Sequence, residues 1–395
     1  MNRRPSSTRA ALVALVAIVV LAACSADPGS TPSPMPTSSP TPAATPEPVP
    51  SDTPAPTVPP TVAWEQATVP GSPSPSASIT IVPGGEGLIA IGFDGAFGTI
   101  LWTSPDGREW TDITPADFAS VGIVSVVEFG GGLVGVGRGD TINVDANQAA
   151  VYRSDDGVTW RRVDAGDEMQ GQLIDVVATD DGLYAVGGVP GADAAGVWHS
   201  VDGETWERTG GDFEHAFMWA IAEGGPGLVA VGWRRNPEPD LAVWTSPDGA
   251  EWTLAPDPEG FAGFEGTDVI DLDGTLVMVG GALDGSGGRI WTSNDGTTWE
   301  LADVDLGEAD AFARTVARTP AGLVATGGGS DAAARAWIST DGVAWTPLSE
   351  PVPEAFFQSA YATDDGLLIS GATQTGTLAT GIESHAMVWS ASLGD

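Results

Sequence analysis

One heptapeptide phrase, Ser-x-Asp-Gly-x-x-Trp, occurs six times in this chain: Ser104–Trp110, Ser154–Trp160, Ser200–Trp206, Ser246–Trp252, Ser293–Trp299 and Ser339–Trp345. Self-similarity at a spacing of 46 to 50 residues means one supersecondary unit repeated along the chain. The residue types explain the phrase locally. Ser, Pro or another small residue, Asp and Gly suit the four corners of a type I turn, and a Gly in the left-handed region then supplies the bulge that joins two antiparallel strands. The Ser hydroxyl and the Asp carboxylate accept hydrogen bonds from turn N–H groups. Asp106, Asp156, Asp202, Asp248, Asp295 and Asp341 are therefore expected to build turns, not to catalyse.

Two aromatic ladders run through the repeat. The first is Trp102, Tyr152, Trp198, Trp244, Trp291, Trp337 and Trp389; the second is Trp64, Trp110, Trp160, Trp206, Trp252, Trp299 and Trp345. Before each rung of the first lies a segment such as Gly182-Leu-Tyr-Ala-Val-Gly187, and before that an apolar run such as Ile174–Ala178. Short alternating runs bounded by Gly, Asp and Pro read as strands, and four per period make a propeller blade. Seven rungs in each ladder predict an all-β, seven-bladed β-propeller of four-stranded blades. Trp64 opens a fourth strand with no first three, and Trp389 sits on a third strand with no fourth. The segment Trp64–Val69 should pair beside Met387–Ala391 and close the ring, which removes exposed sheet edges.

The phrase resembles the Asp-box repeat of sialidases and other β-propellers, Ser-x-Asp-x-Gly-x-x-Trp, shortened by one residue between Asp and Gly. The Gly-Gly pairs at 187–188, 280–281 and 327–328 are also similar to kelch repeats. The resemblance spans about residues 63–395 and implies a structural hairpin on the face away from any active centre. A sialidase would need three substrate-clamping Arg, a Tyr nucleophile and an early Arg-Ile-Pro motif. That motif is missing; there are three Tyr, and only Arg314 and Arg318 fall on inner strands, both in one blade.

Ahead of the repeat, Arg3, Arg4 and Arg9 precede an apolar run from Ala10 to Ala23 that ends Leu21-Ala-Ala-Cys24. A run of this length suits a secretory leader and not a spanning helix. Leu-Ala-Ala-Cys resembles the bacterial lipobox, which implies lipidation of Cys24. Residues 1–23 are thus expected to be a lipoprotein signal peptide. Residues 24–61 read as a Pro/Ser/Thr-rich disordered tether, 13 of the 36 residues from Ala26 to Thr61 being Pro. Residues 62–395 form the propeller. The expected place is the extracytoplasmic face of the cell membrane, touched only through the anchor.

Cys24 is the sole cysteine, so no intrachain disulfide and no multi-thiolate metal site can form. The three His, at 199, 215 and 385, show no metal-ligand spacing, and no cofactor motif appears. All 15 basic residues are Arg against 53 acidic residues, a net charge of −38. Loss of the leader's three Arg leaves 12 against 53. Nucleic acid and anionic lipid surfaces are disfavoured as partners on this ground, and no nucleic-acid partner is expected, since affinity for them comes largely from cationic neutralisation.

Function should lie in what does not repeat. Aligning the inner strands backward from their Gly-Leu marks gives the column Ser78, Ser125, Asp175, Trp219, Asp268, Arg314 and Ser359. Two carboxylates, a guanidinium and an indole can orient a small polar or sugar-like ligand. Trp219 and Trp233 are the only Trp outside the ladders, and near them lie Phe213, His215, Phe217 and the pair Arg234-Arg235, a second contact candidate. The Phe residues at 118, 261, 264, 312, 356 and 357 read as plugs between blades. The favoured function is a monomeric binding module for a glycan or protein ligand. The alternatives are a glycoside hydrolase using Asp175 and Asp268 as its carboxylate pair, and a scaffold or assembly factor.

Overall fold

A computed structural model describes residues 62–393 except 71–79, 86, 94–97, 117, 119–121, 139–148, 165–168, 190–192, 257–259, 303, 305, 307–309, 364–365 and 378–380. Cys24, the leader, the tether and Ser78 lie outside the described residues. The described chain folds into seven sheets with essentially no helix, antiparallel but for the short edge strand Gly210–Gly211 beside Glu251–Leu254, and the inner strand of each contacts the inner strands of its two neighbours around a closed ring. This is the seven-bladed propeller that the ladders predict.

Blade 4 typifies the set. Its inner strand Ala216–Gly224 pairs with Gly227–Arg235, that with Pro239–Ser246, and that with the outer strand Glu251–Leu254. Blade 7 is completed across the chain. Glu65–Thr68 pairs antiparallel with Gly381–Ala391, in the register Glu65↔Ser390 to Thr68↔Met387. Trp64 reinforces the seam, donating from Nε1 to Ser349 Oγ at 2.8 Å and meeting the Phe357 ring edge-on at 5.7 Å.

Buried apolar residues fall into seven clusters, each spanning one blade-to-blade interface. The first ladder supplies their centres. Trp102, Trp198, Trp244, Trp291, Trp337 and Trp389 are all fully buried, with Tyr152 as the seventh rung. Burying such a ring removes some 150–250 Å² from water, which makes these interfaces the main source of stability. Phe118 and Phe261, from connections between blades, and Phe357, from the inner strand of blade 7, act as the expected plugs and are almost wholly buried. Phe264 packs against the interface of blades 4 and 5, whereas Phe312 and Phe356 are only half-buried. Phe213, grouped above with a contact loop, is instead a plug between blades 3 and 4.

The repeated phrase is a hairpin with a fixed bonding scheme. In all six copies the Gly N–H donates to the Ser Oγ at 2.8–2.9 Å. The Asp Oδ1 accepts one or two N–H groups from the residues just after the Gly. In five copies the Trp indole N–H donates back to the Gly carbonyl, Trp206 being the exception. The Gly is required twice over. Its φ lies between 70° and 80° in every copy, a region that side chains resist. It also rides on the second strand of the preceding blade: a Cβ at Gly107 would come 2.6 Å from Leu368 Cδ1, and one at Gly249 would enter the Tyr184 ring. The hairpin therefore shapes one blade and docks it on the previous one.

Candidate functional site

Each hairpin sits where the third strand ends, level with the C-terminal end of the inner strand, as the pairings Leu228↔Ser246 and Glu223↔Leu228 place it in blade 4. The N-terminal ends of the inner strands open on the opposite face. Among the described residues a β-bulge marks this end in blades 2 to 7, leaving Val124, Ile174, Trp219, Thr267, Arg314 and Gln358 without a partner in the register. A bulge inserts one extra residue and re-aims its side chain.

The bulge divides the sequence-derived column in two. Ser125, Asp175, Asp268 and Ser359 stand one residue after the bulge, level with Ala220 and Thr315, while Trp219 and Arg314 are themselves the bulged residues. Counting back from Gly-Leu slips by one wherever the chosen polar residue is the inserted one. Only the pairing register reveals this.

The two sets do different work. Asp175 accepts from Ser125 Oγ of blade 2 at 2.8 Å on Oδ1 and from Ile221 N–H of blade 4 at 3.0 Å on Oδ2. Asp268 accepts from its neighbour Val269 N–H at 2.8 Å and from Val316 N–H of blade 6 at 2.9 Å. Each carboxylate is thus stapled to the inner strand of the following blade. Both side chains are half-buried, and protein surrounds them closely enough that lost hydration dominates. Burial pushes Asp175 up to about 6, opposed by its hydrogen bonds, and burial pushes Asp268 up to about 7, with the Asp175 charge adding to the rise.

The bulged residues meet over blades 4, 5 and 6. Trp219 Nε1 donates to Glu265 Oε2 of the next blade at 3.1 Å, and Thr267 Oγ donates to the Arg314 carbonyl at 2.8 Å. Burial raises the Glu265 pKa against the pull of the Trp219 hydrogen bond and the Arg314 charge. Burial lowers that of Arg314 while Glu265 raises it, and the guanidinium remains charged. Arg314 is open to water at the channel mouth although ringed by protein. Among the described residues its guanidinium has no hydrogen-bond or ion-pair partner, in contrast to Arg318, which is 2.7 Å from Asp273. Beside this charge pair stands an aromatic shelf. The Phe217 ring lies 4.6 Å from Trp219 and 6.4 Å from its cross-strand partner Trp233.

Arg234 and Arg235 belong to a different arrangement. Arg234 pairs with Asp212 at 3.0 Å; Arg235 pairs with Asp193 at 2.6 Å, and that carboxylate also holds His215 Nδ1 at 2.6 Å. Their charges are met by carboxylates of the preceding blade's hairpin and of the connection between the two blades. Glu265 escaped the sequence reading because it lies three residues before Asp268, outside the aligned column. Its signal was a carboxylate at a position occupied by Phe217, Phe312 and Phe356 in neighbouring blades.

No family model matches the chain, and no curated protein matches it in sequence. Solved structures match its fold. A catalytically inactive virginiamycin B lyase from Staphylococcus aureus, in complex with quinupristin, superposes with a TM-score of 0.56 at 8% identity, covering 83% of this chain and 99% of that one. The six-bladed fucose-recognising lectin of the fungus Aleuria aurantia gives 0.45 at 12%, covering 72% and 98%. An arabinanase from Bacillus subtilis gives 0.36 at 11%, covering 68% and 94%. For the lyase, at 8% identity, the likeness is one of fold alone.

Proposed function

We propose that this chain is a lipid-anchored, extracytoplasmic propeller that acts as a binding module, with hairpins of a shortened Asp-box type and a glycan or protein ligand taken at the channel mouth over blades 4–6. The observation that carries the binding reading is Arg314, a guanidinium at the mouth with no partner among the described residues, beside the Trp219 ring and the Glu265 carboxylate. A protein charge left unpaired where burial disfavours it costs stability, and a ligand that meets it recovers that cost. The anchor and the location rest on Leu21-Ala-Ala-Cys24 and the Pro-rich segment after it.

A second reading is a hydrolase on Asp175 and Asp268, favoured by their raised pKa values of about 6 and about 7. Against it, both oxygens of each carboxylate already accept hydrogen bonds that tie blades together. A general acid needs a free oxygen aimed at the substrate.

Glycan and peptide arrays probed with the full chain test the binding reading. Hits that weaken in both Trp219→Ala and Arg314→Ala are expected, and hits undiminished in both would overturn the mouth as the site. Cys24→Ser should move the protein from the membrane to the soluble fraction; unchanged membrane association would remove the anchor.

A further inference from the structure

The mouth holds two opposite charges that sense each other across adjacent blades without touching. Arg314 lowers the Glu265 pKa and Glu265 raises that of Arg314, yet no ion pair joins them. Glu265 Oε2 is taken by Trp219 Nε1. Among the described residues Oε1 accepts no hydrogen bond, and the five N–H groups of Arg314 donate none. A ligand that satisfies this site must bring an acceptor to the guanidinium and a donor to the carboxylate. The Phe217–Trp219–Trp233 shelf alongside takes an apolar body.

We infer that the site binds a zwitterionic ligand of the α-amino acid class with an apolar side chain, its carboxylate on Arg314 and its ammonium on Glu265; this rests on the binding-module reading above. Two other chemistries fit less well. A neutral sugar leaves both protein charges uncompensated. An anionic sugar or carboxylic acid meets Arg314 but leaves Glu265 unpaired in a partly desolvated place. It must also approach a chain with 12 basic and 53 acidic residues once the leader is removed, against a field that disfavours any net anion. A zwitterion carries no net charge and matches the site as a dipole. Its side chain gains the contact with the aromatic rings.

Calorimetric titration of the full chain with L-phenylalanine tests this, alongside 3-phenylpropanoate, which lacks the ammonium, phenethylamine, which lacks the carboxylate, and glucuronate. L-phenylalanine should bind, and each of the other three should bind about tenfold or more weakly by comparison. Arg314→Gln and Glu265→Gln should each weaken L-phenylalanine by about tenfold to a hundredfold. Gln at 265 keeps an acceptor for Trp219, and an unchanged near-ultraviolet spectrum separates lost affinity from lost fold. Equal affinity for 3-phenylpropanoate, or tighter binding of glucuronate, would overturn the zwitterion. If L-phenylalanine fails while array hits still depend on Trp219, the zwitterion falls and the binding module stands. If neither depends on the mouth, both fall.

Discussion

The two faces of the ring solve opposite problems with the same strands. On the hairpin face, six copies of one phrase satisfy their own polar groups: Ser Oγ caps the Gly N–H, Asp caps the following N–H groups and, in five copies, Trp caps the Gly carbonyl. Those backbone donors hold the carboxylates of Asp156, Asp202, Asp295 and Asp341 below their ordinary range, with Asp295 down to about 2. On the mouth face the bulged residues differ from blade to blade, and among the described residues the charge of Arg314 goes unmet. Saturation repeated six times marks structure, while an unsaturated position in a single blade marks a place where a partner is expected. Repetition is thus informative about fold and almost silent about ligand.

The contrast breaks most visibly at the hairpin. Gly249→Ala places a Cβ in the Tyr184 ring at a residue with φ of 71°. The loss should be about 2–4 kcal/mol, from clash and backbone strain together. Urea denaturation measures it, and a loss below about 1 kcal/mol would show that the hairpin is not wedged on the preceding blade.

Next in size is the pair of staples. Because Asp268 is raised to about 7 in the folded state, the folded protein holds that proton more tightly than the unfolded chain does. Its contribution to stability is fully present below about pH 4 and lost as pH rises through about 7. Asp175, raised to about 6, acts in the same direction. Asp268→Asn stays uncharged, so at pH 8 relative to pH 5 it should lose on the order of 2 kcal/mol less than wild type. Parallel slopes of Tm against pH for the two proteins would mean that Asp268 is already solvated.

Much of this molecule was legible in its sequence, and the reason is physical. Ladder Trp residues recur because every blade interface needs a large buried ring, so blade number and the closing strand at Glu65–Thr68 follow from counting. The mouth was only half legible. Trp219 and Arg314 stood out as breaks in a pattern, but an inserted residue changes facing without changing composition, so the bulge that separates them from Asp175 and Asp268 left no mark. Partner choice was equally hidden. Arg234, Arg235 and Arg314 look equivalent as letters; the first two are neutralised by Asp212 and Asp193, which lie 22 and 42 residues away in sequence.

Smaller effects sharpen the contrast from both sides. Ser246→Ala removes the hydroxyl that caps Gly249 N–H at 2.8 Å and donates to the Glu251 carbonyl at 2.7 Å, inside a buried turn. It should cost about 1 kcal/mol. Arg314→Gln should leave the unfolding free energy unchanged or raise it by no more than about 0.5 kcal/mol. Deleting a paired buried charge would cost far more, because the partner would be stranded; here Glu265, the carboxylate that Arg314 acts on, keeps its Trp219 hydrogen bond. The same substitution is expected to abolish most binding at the mouth. A residue whose loss is nearly silent in a melt and large in a titration serves a ligand, whereas Gly249 and Ser246 should behave in the reverse way. A loss of about 2 kcal/mol or more in Arg314→Gln would return this side chain to the set that holds the ring together.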